Sequence, residues 1–178
     1  SIKVSGMYGI GVTGKLTVES GSYTVAGAND YLIGNWGETV ISGGEFNGQY
    51  SCVNNFSGTV TITGGKFTTA EFDSTGEYES ADVFGDEGVA ISGGTFSKEV
   101  EFAHLAEGYC DKPVDGGYQV VTHVWTVSYN WDQDAEGNWT CTAEHICVNN
   151  SKHNRTTAAT VTSEQTLAPT CTEKGKTT

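Results

Sequence analysis

Apolar and polar residues alternate with period two along much of this chain, in short runs that break at glycine. Thr59-Val60-Thr61-Ile62-Thr63 puts Val60 and Ile62 on one face and the threonines on the other, which is the patterning of a strand. The break that follows is repeated. Ile41-Ser42-Gly43-Gly44-Glu45-Phe46, Ile62-Thr63-Gly64-Gly65-Lys66-Phe67 and Ile91-Ser92-Gly93-Gly94-Thr95-Phe96 share one order: a β-branched apolar residue, a hydroxyl, two glycines, any residue, and Phe. Lys3-Val4-Ser5-Gly6-Met7-Tyr8 and Val18-Glu19-Ser20-Gly21-Ser22-Tyr23 are looser copies. The five closing rings, Tyr8, Tyr23, Phe46, Phe67 and Phe96, are the anchors of the repeat.

Units of roughly twenty residues are too short to bury a core singly and must stack on their neighbours. Paired glycines permit a corner that a Cβ would obstruct, after which the aromatic residue turns inward. Each copy therefore reads as strand, corner and inward ring. The predicted fold is all-β: a right-handed parallel β-helix of about five irregular rungs, cored by a Val/Ile column beside a Phe/Tyr column. An antiparallel sandwich also suits short strands with glycine turns, but it has no need for identical corners. An open last rung needs a cover. Phe102, Leu105 and Ala106 at i, i+3 and i+4, before Gly108, predict a short helical plug over 100–108. Asp115-Gly116-Gly117 and the Tyr118–Val121 run complete this cap.

From Thr122 the pattern changes. Trp125, Val127, Tyr129 and Trp131 alternate with polar residues; after a polar interruption Trp139, Cys141, Ala143, His145 and Cys147 do the same, which predicts a β-hairpin. Residues 156–166 read as a third strand. The expected division is a β-helix with its cap over 1–121 and a small antiparallel β module over 122–178, the latter ending before its last strand. The three tryptophans of this module share a face and are read as its core.

Repeated "ISGGTF" copies followed by "AEGY" and "DGGYQVV" resemble the stacked-repeat regions of large surface proteins of gut Firmicutes. The stretch from Tyr129 onward, with Y-x-W, T-x-T-A, T-S-E and A-x-x-C-T-E-x-G, is similar to the small Cys/Thr-rich β repeat that follows them. The resemblance covers most of the chain. It implies a secreted or wall-attached bacterial protein with a structural, adhesive role, presenting loops to a host protein or a glycan.

Composition narrows the chemistry. A net charge of −13, from 22 acids against 9 bases, argues against phosphate backbones and anionic membranes as partners. No apolar run reaches the length of a membrane helix. The lone arginine, Arg155, lies in the second module, against a polysaccharide lyase, and no local pattern marks the two converging carboxylates of a glycoside hydrolase. The reading is therefore non-catalytic, with a carbohydrate-binding or carbohydrate-cleaving domain as one rival and a filament subunit, self-assembling by strand donation, as the other.

Acids cluster without any Lys or Arg between Glu71 and Glu87. A solvated insertion is the plainer reading, and calcium is the one cofactor that Asp73, Glu77, Glu79, Asp82, Asp86 and Glu87 suit. Asp132-Gln133-Asp134-Ala135-Glu136-Gly137 begins like a calcium loop, but Ala143 stands where its last ligand belongs, so it reads as a solvated hairpin tip. Five cysteines lie in no CxxC arrangement. The expected disulfides are Cys147–Cys171, tying the third strand to the hairpin, then Cys110–Cys141, with Cys52 left over.

Overall fold

The computed structural model describes residues 2–4, 8–25, 31–70, 80–85, 87–163, 165–167 and 176–177, with backbone alone for 2–4, 165–167 and 176–177. The chain divides into two units, Ser1–Val124 and Trp125–Thr178.

Short strands follow one another through the first unit: β1 (Ile2–Val4), β2 (Tyr8–Val12), β3 (Lys15–Val18), β4 (Ser22–Val25), β5 (Tyr31–Asn35), β6 (Glu38–Ile41), β7 (Glu45–Gly48), β8 (Ser51–Asn55), β9 (Thr59–Ile62), β10 (Lys66–Thr69), β11 (Val83–Gly85), β12 (Val89–Ile91) and β13 (Thr95–Phe96). Every third strand pairs in parallel, giving three stacks: β1-β4-β7-β10-β13, β2-β5-β8-β11 and β3-β6-β9-β12. Each coil thus contributes one strand to each stack, as the rungs of a β-helix do. Register is kept from rung to rung. Tyr23 lies beside Phe46, Phe46 beside Phe67 and Phe67 beside Phe96, while Ile41 lies beside Ile62 and Ile62 beside Ile91.

The ring column is continuous. Centroids are 5.2 Å apart for Tyr23–Phe46, 4.8 Å for Phe46–Phe67 and 4.9 Å for Phe67–Phe96, with planes within 12° of parallel. Phe46, Phe67 and Phe96 are buried beside Ile41, Ile62 and Ile91 in one core. Tyr23, half-buried at the edge of the column, donates its hydroxyl hydrogen to the Ser20 carbonyl (2.9 Å).

The two glycines of the motif serve different needs. The second has a left-handed backbone, with φ of 109° at Gly44, 110° at Gly65 and 105° at Gly94. The first lies against the coil before it: a Cβ on Gly43, Gly64 or Gly93 would collide with the carbonyl oxygen of Glu19, Ser42 or Thr63 respectively. One glycine turns the chain and the other lets successive corners touch.

Tyr8 departs from the expected column. The position beside Tyr23 is held by Ile2, and Tyr8 lies on β2 beside Tyr31. Strand register overrides the loose sequence match here: β1 itself stands in the ring-column stack, so the strand that follows it, β2, belongs to the next stack.

The cover is also different from the expected helical plug. No α-helix forms over 100–108; a single 3₁₀ turn, Phe102–His104, leaves Phe102 72% exposed. Leu105 instead lies beside Ile91 in a parallel bridge, and the Ala106 N–H donates to the Ile91 carbonyl (2.9 Å). The last rung offers unpaired backbone groups. An extended segment satisfies them, whereas a helix would have spent its own hydrogen bonds internally. The ring-column stack is closed by a hairpin, β14 (Tyr109–Val114) and β15 (Gly117–Thr122), with β15 antiparallel to β13.

The second unit contains an antiparallel sheet of β16 (Trp125–Gln133), β17 (Trp139–Cys147) and β18 (Arg155–Ala158), and a separate pair, β19 (Gln165–Leu167) with β20 (Lys176–Thr177). Trp131 lies opposite Cys141 and Tyr129 opposite Ala143, so the apolar residues share a face as expected. They do not form the expected core. Cys141 and Ala143 are buried, but Trp131 and Trp139 are 58% and 55% exposed. Trp125 packs instead within its own sheet, with the Arg155 guanidinium 4.9 Å from its ring centroid and the His145 ring edge-on to it.

Candidate ligand-binding face

The side of the coils built by β2, β5, β8 and β11 carries a second set of rings. Along these strands Ile10, Ile33, Val53 and Val83 are in register, and beside them run Gly11, Gly34, Asn54 and Phe84. Gly34 is where two rings settle on the backbone: a Cβ there would stand 2.8 Å from Tyr8 Cδ1 and 3.1 Å from Trp36 Cζ3. Trp36 stacks on Phe56 (4.7 Å, 8°), and Tyr8 meets both edge-on. Tyr8 also stacks on Tyr31, which meets Tyr50 edge-on, and Tyr50 stacks on Phe84 (5.3 Å). Six aromatic residues are thus linked ring to ring. Trp36 and Phe56 remain 39% and 43% exposed, so this is a surface and not a second core.

Beneath the rings lies a polar corner. Asn35 and Asn55 occupy the same position on successive rungs, and Asn35 Nδ2 donates to Asn55 Oδ1 (2.7 Å). Thr39 Oγ1 donates to Asn35 Oδ1 (2.8 Å), and Asn55 Nδ2 donates to the Glu87 carbonyl (2.7 Å). These buried amides are satisfied and hold the corner from which Trp36 and Phe56 project.

Tyr31, Tyr50, Asn54, Asn55, Phe56, Phe84 and Gly85 line a cleft of about 340 Å³ in this face. Burial, and then the neighbouring Tyr50 and Tyr8, hold the Tyr31 phenol above its ordinary value, while a hydrogen bond with the Asn54 side chain acts in the other direction. Ring faces, a phenol and an amide therefore meet at one opening.

Two of the six acidic candidates, Asp82 and Glu87, lie among the described residues. Asp82 is buried, and its carboxylate accepts hydrogen bonds from Ser97 Oγ (2.9 and 3.2 Å) and from the Lys98 N–H (2.8 Å). Loss of water, partly offset by these bonds, raises its pKa. It acts as an internal strut between coils. Glu87 is exposed, and Asp73, Glu77, Glu79 and Asp86 lie outside the described residues. At the hairpin tip, Asp134 accepts from the Asn138 N–H (2.7 Å) and Nδ2 (3.0 Å), an arrangement that closes a turn.

No disulfide joins any two of Cys52, Cys110, Cys141 and Cys147, all of them buried. The expected Cys110–Cys141 pair is therefore not formed. The two belong to different sheets, Cys110 opposite Val121 and Cys141 opposite Trp131. Cys171, the expected partner of Cys147, lies outside the described residues. Burial, and then the nearby Asp82, push the Cys52 thiol up to about 12. It donates to the Phe46 and Thr68 carbonyls (both 3.4 Å), so it is a packed and unreactive group.

The ring cluster was not marked by the repeat that led to the fold, yet a signal for it exists. Asn35-Trp36 and Asn55-Phe56 are the same dipeptide pattern one rung apart, before Gly37 and Gly58. No family model, curated protein or solved structure matches the chain. Among the described residues, no helix is long and apolar enough to cross a membrane.

Proposed function

We propose that the chain is a non-catalytic segment of a bacterial surface protein, secreted or attached to the cell wall. Its first unit is a right-handed β-helix that holds an outer face at a fixed geometry for a host protein or a glycan. The observation that carries this reading is the unbroken ring column from Tyr23 to Phe96, with register kept on all three sides. Such stacking supports a stiff presenting body, since each coil is held by hydrogen bonds along the axis and by ring contacts inside. The buried groups Asp82, Cys52, Asn35 and Asn55 are engaged in hydrogen bonds within and between coils. The resemblance to repeat-bearing surface proteins of gut Firmicutes points the same way.

Antibodies raised against the chain test this reading on the bacterium that encodes it. They are expected to label intact cells or the culture medium, and sedimentation of the isolated chain is expected to show a monomer. Labelling confined to permeabilised cells contradicts a surface role, and concentration-dependent polymers would favour a filament subunit.

A further inference from the structure

The geometry points to the cleft between Tyr31, Tyr50, Phe56 and Phe84 as a binding site for an uncharged hexopyranose unit of a glycan chain. This inference rests on the presentation role above and names the partner of its outer face. Three observations carry it.

The first is shape and size. A cleft of about 340 Å³ lies at the small end of the range for ligand sites, and it opens onto a row of rings along which a chain of sugars could continue. The second is chemistry. The face of an aromatic ring is electron-rich, and the axial C–H bonds of a pyranose present a weakly positive, apolar patch of matching size. Tyr50 and Phe84, stacked together, and Phe56, part-exposed beside Trp36, supply such faces. Asn54 and the Tyr31 hydroxyl add polar atoms at the cleft that can exchange donor and acceptor roles with sugar hydroxyls. A purely apolar partner would leave this polar pair dry and poorly matched.

The third is charge. Among the described residues every ionisable side chain lining the cleft is a tyrosine, and the chain as a whole carries −13, so uronate, sulfate and phosphate groups are disfavoured.

Isothermal titration of the full chain with cellohexaose, maltohexaose and mannohexaose, with polygalacturonate as the anionic counterpart, tests the assignment. At least one neutral oligosaccharide is expected to bind. Tyr50→Ala and Phe84→Ala should each weaken that binding at least about tenfold, with a smaller loss in Asn54→Ala, and Trp131→Ala in the second unit should leave it unchanged. Unfolding midpoints of the variants establish that they are folded, and Asn54→Ala keeps the test open if a ring variant is not. The assignment is overturned if none of the three neutral sugars binds, if polygalacturonate binds more tightly, or if binding survives Tyr50→Ala and Phe84→Ala. A folded, monomeric, surface-exposed chain that binds none of them sinks the sugar site alone. The presentation role fails on the labelling experiment instead.

Discussion

Phe67 lies between Phe46 and Phe96, 4.8 Å and 4.9 Å away, with both neighbours within 5° of parallel. It is also buried. Removing this ring therefore forfeits two stacking contacts and leaves a cavity between coils. Phe67→Ala is expected to lower the unfolding free energy by about 3–5 kcal/mol in denaturant titration. Tyr23→Phe, which keeps the ring and loses one edge hydrogen bond, should cost no more than about 1 kcal/mol. Equal effects would mean that the column is not what holds the coils.

The first glycine of the corner is a packing requirement. Gly64→Ala directs a Cβ at the Ser42 carbonyl oxygen, which belongs to the backbone of the preceding coil and cannot turn aside. A loss of about 1–3 kcal/mol is expected. Gly11→Ala, with nothing within 4 Å of its Cβ, should stay within about 0.5 kcal/mol of the parent. Thermal unfolding of the two variants side by side checks the contrast.

Asn35 links two rungs through its amide. Asn35→Ala leaves Asn55 Oδ1 and the Thr39 hydroxyl without the partner each now has, at a cost of about 1–3 kcal/mol. Trp36 projects from the same corner, so its fluorescence should shift to longer wavelength in this variant even where the fold survives. An unchanged spectrum and stability would show that the corner is held by other contacts.

Asp82 gives a pH dependence of defined sign. Its folded pKa is raised, chiefly by burial, so the folded state holds the proton more tightly than the unfolded state does. Its contribution is fully present below the ordinary carboxylate value and is lost as pH rises through the folded value. The stability difference between the parent and Asp82→Asn should therefore fall as pH is raised through that window, and level off above it. Taking the difference removes the general relief of charge repulsion on acidification. A difference that grows with pH would contradict the buried strut.

The rungs were legible because stacking repeats its demands at every coil. Ile, paired glycines and Phe recur since each must meet its own copy, and those demands are met at Phe46, Phe67 and Phe96. Where the demand is not repeated, sequence was a weaker guide. Tyr8 matched the motif by letters, but the strand before it already stands in the ring-column stack and the ring belongs to another side. The segment at Phe102 has helical spacing in isolation and is drawn into extended pairing by the open edge at Ile91. The ring face was hidden for a different reason. Its members come from β2, β5, β11, the corners after β5 and β8 and the turn before β8, and only the register brings Tyr31, Tyr50 and Phe84 together. The Asn-aromatic pairs at 35–36 and 55–56 were its one local trace.

The account as a whole depends on ring following ring along the axis of the first unit. Through-space proton contacts among selectively labelled Phe and Tyr rings, measured by solution NMR, test this directly. The prediction is contacts for Tyr23–Phe46, Phe46–Phe67 and Phe67–Phe96, none for Phe46–Phe96, and Tyr8 in contact with Tyr31 instead of Tyr23. Rings of Phe46, Phe67 and Phe96 each found among unrelated neighbours would contradict the stacked coils and the face built on them.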